Sequence, residues 1–472
     1  MIKKDLVRFI EGNFPFSVTG GQHEAVDVLA GFLLSGDKDS VCLLRGYAGT
    51  GKTSVLAALV RALDGLKRKT VLLAPTGRAA KVFALHAGHP AFTIHKRIYR
   101  QKAFSGEMDN FLQDVNLMKH VLFIVDEASM ISDGGGSGFG TGRLLDDLVQ
   151  FVYSGEGCRL LLVGDAAQLP PVGGEESPAL SGEVLAGYGL HVWQAELAEV
   201  VRQEAGSGIL WNATRLRRWI AAGECGVWPS VRFAGFPDVR RLPGNELIEA
   251  LEEAYARCGE DETIVVTRSN KRANIYNNGI RGRILGREEE LTGGDRLLIA
   301  KNNYFWNLGQ EGRTFDFLAN GDMAEVRRVR RQRGLYGFRF VDVLLRFPDY
   351  GDAELEATVL LDTLQSEAPA LTREQSDRLF HAVEEDYADV TGKRERMKKI
   401  KGDPYFNALQ VKYAYAVTCH KAQGGQWRRV FVDQGYVAED MLTPDYFRWL
   451  YTAFTRATET LYLVNWPENQ AG

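Results

Sequence analysis

The sequence predicts an α/β protein whose core is a parallel, doubly wound sheet, with the same organisation repeated in a second domain. Three observations carry this. The runs VCLLRG, TVLLAPTG (70–77), VLFIVDEAS (121–129) and RLLLVGDAAQ (159–168) alternate with helical patterns and lack polar alternation, as strands buried on both faces do. Each run ends in small or polar residues, at the strand ends where such sheets bind ligands. At 472 residues the chain exceeds the roughly 250–300 at which a single core stops growing, so it must divide.

Composition narrows the function class. The chain is 45% hydrophobic and 25% charged, and no apolar stretch approaches the roughly 20 residues that span a bilayer. The opening MIKKDLVRFIEGNF lacks an apolar core followed by a cleavage site, so a cytoplasmic protein with no membrane partner is expected. The five cysteines form no CxxC pair, and no histidine cluster has metal-ligand spacing, which argues against zinc and disulfides. With a net charge of −4, any nucleic-acid contact has to come from a local groove.

Taken in order, the first chemical element is GYAGTGKTS at 46–54, between the strand VCLLR and the helical VLAALVRALDGL. Gly46, Gly49, Gly51, Lys52 and Thr53, with Thr50 inside the loop, match GxxxxGK[ST]. In that pattern the glycines let backbone N–H groups close around phosphates, Lys reaches the β/γ oxygens and Thr binds magnesium. Asp126 and Glu127 end the next strand but one, where one carboxylate can hold magnesium and its neighbour can orient a water as general base. GDAAQLPPVG (164–173) brings Gln168 to the same sheet edge, held by Pro170 and Pro171. Taken alone it is an ordinary turn, but as the third loop at that edge it would sense the γ-phosphate. The glycine-rich stretch 133–142 reads as a mobile loop or a linker.

A second parallel set follows in ETIVVTRSN (262–270), YAYAVTCHKAQG (413–424), RVFVDQG (429–435) and TLYLVNW (460–466). Between its first two members, NGDMAEVRRVRRQRGLYGFRFVDVLLRF alternates like antiparallel strands, and a charged helical stretch runs from about Ala370 to Lys401. This predicts an inserted module with a small β-barrel. Its arginine run RRVRRQRG (327–334) would either track a phosphate chain or form a solvated strand face.

TGGQ (19–22), GYAGTGKT, APTGRAAKVF, TIHK (93–96), IVDEASM, GDAAQLPPVG, VVRQ, VTCHKAQGGQW and YTAFTRA occur in an order that resembles superfamily one DNA helicases of the RecD and phage Dda branch. The resemblance covers nearly the whole chain. It implies two RecA-like P-loop domains with ATP and Mg2+ in the cleft between them. The first spans 1–205, with a β-hairpin pin inserted at about 97–118. The second is split into 206–300 and 406–472 by a Src-homology-three-like barrel and helical module at 301–405. Gln22 is then assigned to adenine, Lys52 and Thr53 to phosphate and magnesium, Asp126 to magnesium, and Glu127 to water activation. Gln168, Arg202 and Arg456 are assigned to the γ-phosphate, the arginines reaching across the cleft; residue type alone would leave either one a surface ion-pair residue. Gly424 and Gln426 fall on the nucleotide side of the pattern, with Gln426 where related motors often carry Glu near the ribose.

The same resemblance assigns Thr76, Gly77, Arg78, Lys81 and His95 to one stretch of DNA phosphates, and Arg268, Asn274, Thr418, His420 and Lys421 to the next. Outside their motifs, His95 and His420 would read as core or surface histidines. Backbone-phosphate contacts of this kind are sequence-tolerant and salt-sensitive. Phe104 would either stack at the pin tip or pack as an ordinary aromatic. The implied activity is that of a monomeric, ATP-dependent helicase moving 5′ to 3′ along single-stranded DNA and unwinding duplex in replication, recombination or repair. Its partners would be single-stranded and forked DNA, with single-strand-binding or replication and repair proteins. A non-catalytic nucleotide-switch scaffold, and an RNA-acting or protein-displacing translocase, are the competing readings. With TGGQ near its beginning and one strand after YTAFTRA, the sequence as read leads to the expectation of neither a long amino-terminal domain nor an appended nuclease.

Overall fold

Residues 41–44 of the strand Ser40–Gly46 are all fully buried, because helices cover both faces of its sheet. Cys42 and Leu44 pack with Val26, Leu29, Val55 and Leu59 of the helices Gly20–Leu34 and Lys52–Gly65. Val41 and Leu43 point the other way, against Leu148 and Val152 of Leu144–Ser154. The six strands lie in the order Ala91–Thr93, Thr70–Ala74, Leu122–Val125, Arg159–Gly164, Ser40–Gly46, His191–Leu197, and every pairing is parallel. Two members escaped the sequence reading: Ala91–Thr93 is very short, and His191–Leu197 is an edge strand with mixed exposure. The computed structural model describes residues 2–101, 111–132, 141–174, 176–200, 206–306 and 318–472.

The second lobe repeats the principle with five parallel strands, ordered Ala416–Thr418, Thr263–Thr267, Trp427–Asp433, Ala457–Val464, Val239–Leu242. The insertion closes into a barrel of Arg296–Ile299, Met323–Leu335, Phe338–Phe347, Ala353–Leu360 and Leu409–Tyr413. Tyr336 and Gly337 join its long hairpin with φ of 57° and 73°, the left-handed pair that matches strand twist. The barrel's first and last strands lie outside the expected 301–405 span. Both are short and apolar, so locally they resemble buried parallel strands. YAYAVTCHKAQG is accordingly not one strand: Leu409–Tyr413 ends in the barrel and Ala416–Thr418 begins the parallel sheet. Asn277 fixes the changeover, donating to the Ala416 carbonyl (2.9 Å) and accepting from its N–H (2.8 Å). The charged helical stretch is two helices, Arg373–Asp386 and Lys393–Lys401, whose Leu379, Val383 and Ile400 cap Phe338 and Phe340 of the barrel.

Within 97–118, Tyr99–Gln101 and Phe111–Gln113 pair antiparallel. Residues 102–110 between them, with Phe104, lie outside the described residues, as do Arg202 and residues 133–140 of the glycine-rich stretch. Among the described residues, no helix is long and apolar enough to cross a membrane.

Candidate nucleotide cleft and polynucleotide groove

The loop 47–51 turns strand Ser40–Gly46 into helix Lys52–Gly65 with Gly49 and Gly51 at φ of 77° and 87°. A Cβ at Gly46 would lie 2.8 Å from Lys52 Cγ, and one at Gly49 would lie 2.9 Å from Leu210 Cδ2, so the loop closes only around glycine. The buried Thr50 donates its hydroxyl to the Tyr47 carbonyl at 2.8 Å. Lys52 Nζ donates to the carbonyls of Gly46 (2.7 Å) and Tyr47 (2.9 Å) and lies 3.8 Å from Asp165. A phosphate would offer that ammonium ionised acceptors in place of neutral carbonyls, adding the attraction between opposite charges to hydrogen bonds it already makes. Thr53 follows as the second residue of the helix.

At the end of Leu122–Val125, burial and the neighbouring Glu127 carboxylate raise the Asp126 pKa to about 7, opposed by Lys52. Glu127 itself takes the left-handed conformation, φ 53° and ψ 37°, and its N–H donates to Asp126 Oδ1 at 2.8 Å. Three buried polar atoms of the motif set have no partner among the described residues: Ser129 Oγ, Gln168 Oε1 and Gln22 Nε2. Gln22 spends its oxygen on the Thr19 N–H (3.2 Å) in a capping box, which leaves the amide nitrogen unpaired. An unpaired buried polar atom costs about 1–3 kcal/mol, so such a set fits a polar ligand. Ser129 and Gln168 line a cavity with Arg45, Asp165, Gln194 and Arg448, while the P-loop, Asp126, Glu127 and Gln22 lie outside its lining.

The second lobe approaches through the helix Pro444–Phe454. The Tyr451 hydroxyl accepts from the Ala48 N–H of the P-loop and donates to Asp165 Oδ2, both at 2.7 Å. Thr452 Oγ1 accepts from the Leu169 N–H at 2.8 Å, and Gln423 Nε2 donates to the Leu169 carbonyl at 2.6 Å. Arg456 is buried but turned into its own lobe, donating to Thr452 O (3.1 Å), Gly425 O (3.1 Å) and Thr455 Oγ1 (3.2 Å). Asp165 and Tyr451 were not singled out in the sequence, although Asp165 ends an apolar strand as Asp126 does and Tyr451 opens YTAFTRA.

Gly424 and Gln426 are not brought to the P-loop by any described contact. A Cβ at Gly424 would lie 3.0 Å from Ala79 Cβ and 3.3 Å from Thr76 Oγ1. The Gln426 carbonyl accepts from Arg78 Nη2 at 3.0 Å, and the Arg78 guanidinium lies 4.2 Å from the Trp427 ring centroid. Both residues therefore face the helix Gly77–Ala87, the element expected to hold a polynucleotide.

That helix begins with Thr76 as N-cap, accepting from the Ala79 N–H at 3.2 Å. The barrel covers its first turn: a Cβ on Gly77 would lie 2.7 Å from the Tyr350 hydroxyl and 2.8 Å from Asp322 Oδ1. Lys81 donates to the Pro348 carbonyl at 2.9 Å and lies 3.3 Å from Asp349. Burial lowers the His95 pKa to about 4, so at neutral pH its imidazole is uncharged. The second predicted grip is brought together, with Arg268, Asn274, Thr418, His420 and Lys421 lining one cavity beside Lys412. Burial, with Lys412 nearby, brings the Lys421 pKa down to about 8, and its ammonium donates to Asn320 Oδ1. Much of the arginine run is ion-paired along the barrel: Arg330 with Glu356 at 2.6 Å, Arg333 with Asp342 at 2.8 Å and Arg327 with Glu325 at 3.1 Å. Those pairs match a solvated strand face.

Residues 17–218 match the AAA domain family, and 413–464 match the UvrD-like helicase C-terminal domain. The ATP-dependent RecD2 DNA helicase of Deinococcus radiodurans is 31% identical over 212 residues, 45% of this chain and 25% of its own, so the chain spans about a quarter of that relative. The uncharacterized protein R530 of Acanthamoeba polyphaga mimivirus is 22% identical over 89% of this chain and 94% of its own. The Pif1 helicase from Candida albicans aligns over 96% of both chains at 15% identity with a TM-score of 0.45, too low to carry weight.

Proposed function

We propose that this chain, a member of the RecD-like branch of the superfamily one helicases, hydrolyses ATP to move along single-stranded DNA and to unwind duplex ahead of it. One observation carries the reading. The helix Pro444–Phe454 bonds the P-loop through Tyr451, while loops of its own lobe gather Arg268, Asn274, Thr418, His420 and Lys421 around a separate cavity. A nucleotide that alters the cleft then alters the grip.

In this reading Gln22 reads the adenine and Lys52 and the P-loop amides take the phosphates. Thr53 and Asp126 hold Mg2+, whose charge offsets that of the phosphate oxygens. Glu127 takes the proton of the attacking water, Gln168 senses the γ-phosphate, and Arg202 and Arg456 reach it from across the cleft. The grips at Thr76–Lys81 and Arg268–Lys421 alternate on the strand, and the direction is 5′ to 3′. The Phe104 hairpin meets the fork. The test is Lys52→Ala: ATP turnover stimulated by single-stranded DNA should vanish, and undiminished turnover would remove the assignment. Forked duplexes tailed on one end only then fix direction, and hydrolysis indifferent to DNA would favour the switch reading.

A further inference from the structure

The helix Pro444–Phe454 touches both sites at once. Toward the cleft, Tyr451 completes a directional chain: the Ala48 N–H donates to the phenol oxygen, and the phenol O–H donates to Asp165 Oδ2, each at 2.7 Å. Asp165 is fully buried and lies 3.8 Å from Lys52 Nζ, so the carboxylate that Tyr451 holds also faces the phosphate-binding lysine. Its other oxygen accepts from the Ala167 N–H at 3.0 Å, which leaves Tyr451 as the link from this carboxylate to the other lobe. Burial and Asp165 push the phenol well above its ordinary pKa, so the donor keeps its proton.

Toward the groove, the same helix bears on the second grip at three points. The Trp449 carbonyl accepts from Cys419 Sγ at 3.6 Å, at the start of the helix Cys419–Ala422 that carries His420 and Lys421. Asp445 of its first turn lies close enough for its charge to act on His420. The Tyr446 ring lies 5.6 Å from the Arg268 guanidinium. A buried helix does not bend easily, so a shift at Tyr451 displaces all three contacts.

We infer that Tyr451 is a positioning residue, which transmits the state of the P-loop and Asp165 to the strand grip through the helix that carries it. This role rests on the proposed motor reading. It assigns Tyr451 no contact with the nucleotide and no part in the chemistry.

Coupling between two sites is a ratio of affinities, and it is the same ratio from either direction. The experiment measures the affinity of the full chain for a fluorescent oligothymidine, with and without a non-hydrolysable ATP analogue, in the wild type, in Tyr451→Phe and in Asp165→Asn. In the wild type the analogue should change DNA affinity by a factor within the roughly 5- to 150-fold range typical of linked sites. Tyr451→Phe keeps the ring and loses only the hydroxyl. Its ratio should fall to within about twofold of one, while the DNA affinity measured without analogue shifts far less than the ratio does. Asp165→Asn removes the charge at the other end of the chain and should weaken the ratio in the same direction, which keeps the test open if Tyr451→Phe folds poorly. A wild-type ratio of one would overturn the motor reading, and this role with it. A coupled wild type beside variants with an unchanged ratio would overturn the role of Tyr451 alone, as would a variant that lost both affinities together and kept their ratio.

Discussion

Glu127 offers a test in which stability and catalysis should move in opposite directions. Its φ of 53° and ψ of 37° place a side-chain-bearing residue in the left-handed region, at a cost of about 1–2 kcal/mol. Glycine relieves that cost but surrenders roughly 0.5–1 kcal/mol of chain entropy, so Glu127→Gly should gain about 0.5–1 kcal/mol. The bond from the residue 127 N–H to Asp126 Oδ1 is a backbone donation and survives the change. Loss of the Glu127 charge also removes one of the two influences that hold the Asp126 pKa at about 7. For a domain of about 150–250 residues, this gain corresponds to a rise in Tm of about 1–4 °C. Phosphate release with single-stranded DNA should meanwhile fall by about 10²- to 10⁴-fold, the usual contribution of a positioned base. Glu127→Gln, which keeps the backbone strain, should lose the same activity without the gain in Tm. Thermal unfolding followed by circular dichroism, beside a phosphate-release assay, reads both quantities. A Tm for Glu127→Gly more than about 2 °C below wild type would refute the strain argument. Activity in Glu127→Gln within about tenfold of wild type would refute the base.

Other expectations rest on single contacts. Gly49→Ala places a Cβ 2.9 Å from Leu210 Cδ2 at a φ of 77°. The left-handed strain of about 1–2 kcal/mol is present with or without nucleotide, so it should lower the thermal midpoint by about 2–8 °C in an unfolding scan. Lys421→Ala should reduce the salt slope of single-stranded DNA binding by about 0.7, read by anisotropy across a salt series. With its pKa lowered to about 8, Lys421 loses its charge as pH rises through that value, so wild-type DNA affinity should decline there and the Lys421→Ala profile should be flatter. Burial raises the Asp322 pKa from 3.8 to about 7. The native state therefore keeps a proton that the unfolded chain releases, and stability falls as pH rises through that window. Asp322→Asn should flatten the dependence of Tm on pH between those values, and an unchanged profile would count against a buried carboxyl there.

What was legible in the sequence was what local chemistry dictates. Residues 41–44 carry no polar alternation because helices cover both sheet faces, and that absence is visible without coordinates. Gly49 and Gly51 are visible because few other residues hold a positive φ in a loop that closes on itself. The barrel's limits were not visible: Arg296–Ile299 and Leu409–Tyr413 have the local character of buried parallel strands, and only their pairing with each other distinguishes them. The same reasoning explains why Asp165 and Tyr451 were missed. Each is an unremarkable member of its own segment, and its importance comes from a partner in the other lobe.

Arg456 shows the converse, a residue that its motif marks while its contacts lead elsewhere. The family pattern gives it a phosphate as destination, and the fold gives its guanidinium three neutral acceptors within its own lobe. To reach across the cleft it must exchange bonds to neutral acceptors for bonds to ionised phosphate oxygens, which add the attraction between opposite charges. The exchange favours the phosphate only when the phosphate is close enough to be gripped without leaving the Gly425 carbonyl buried and unpaired. The distance between lobes thus decides where the arginine points. The helix that sets this distance at the cleft carries Tyr451, five residues earlier in the chain.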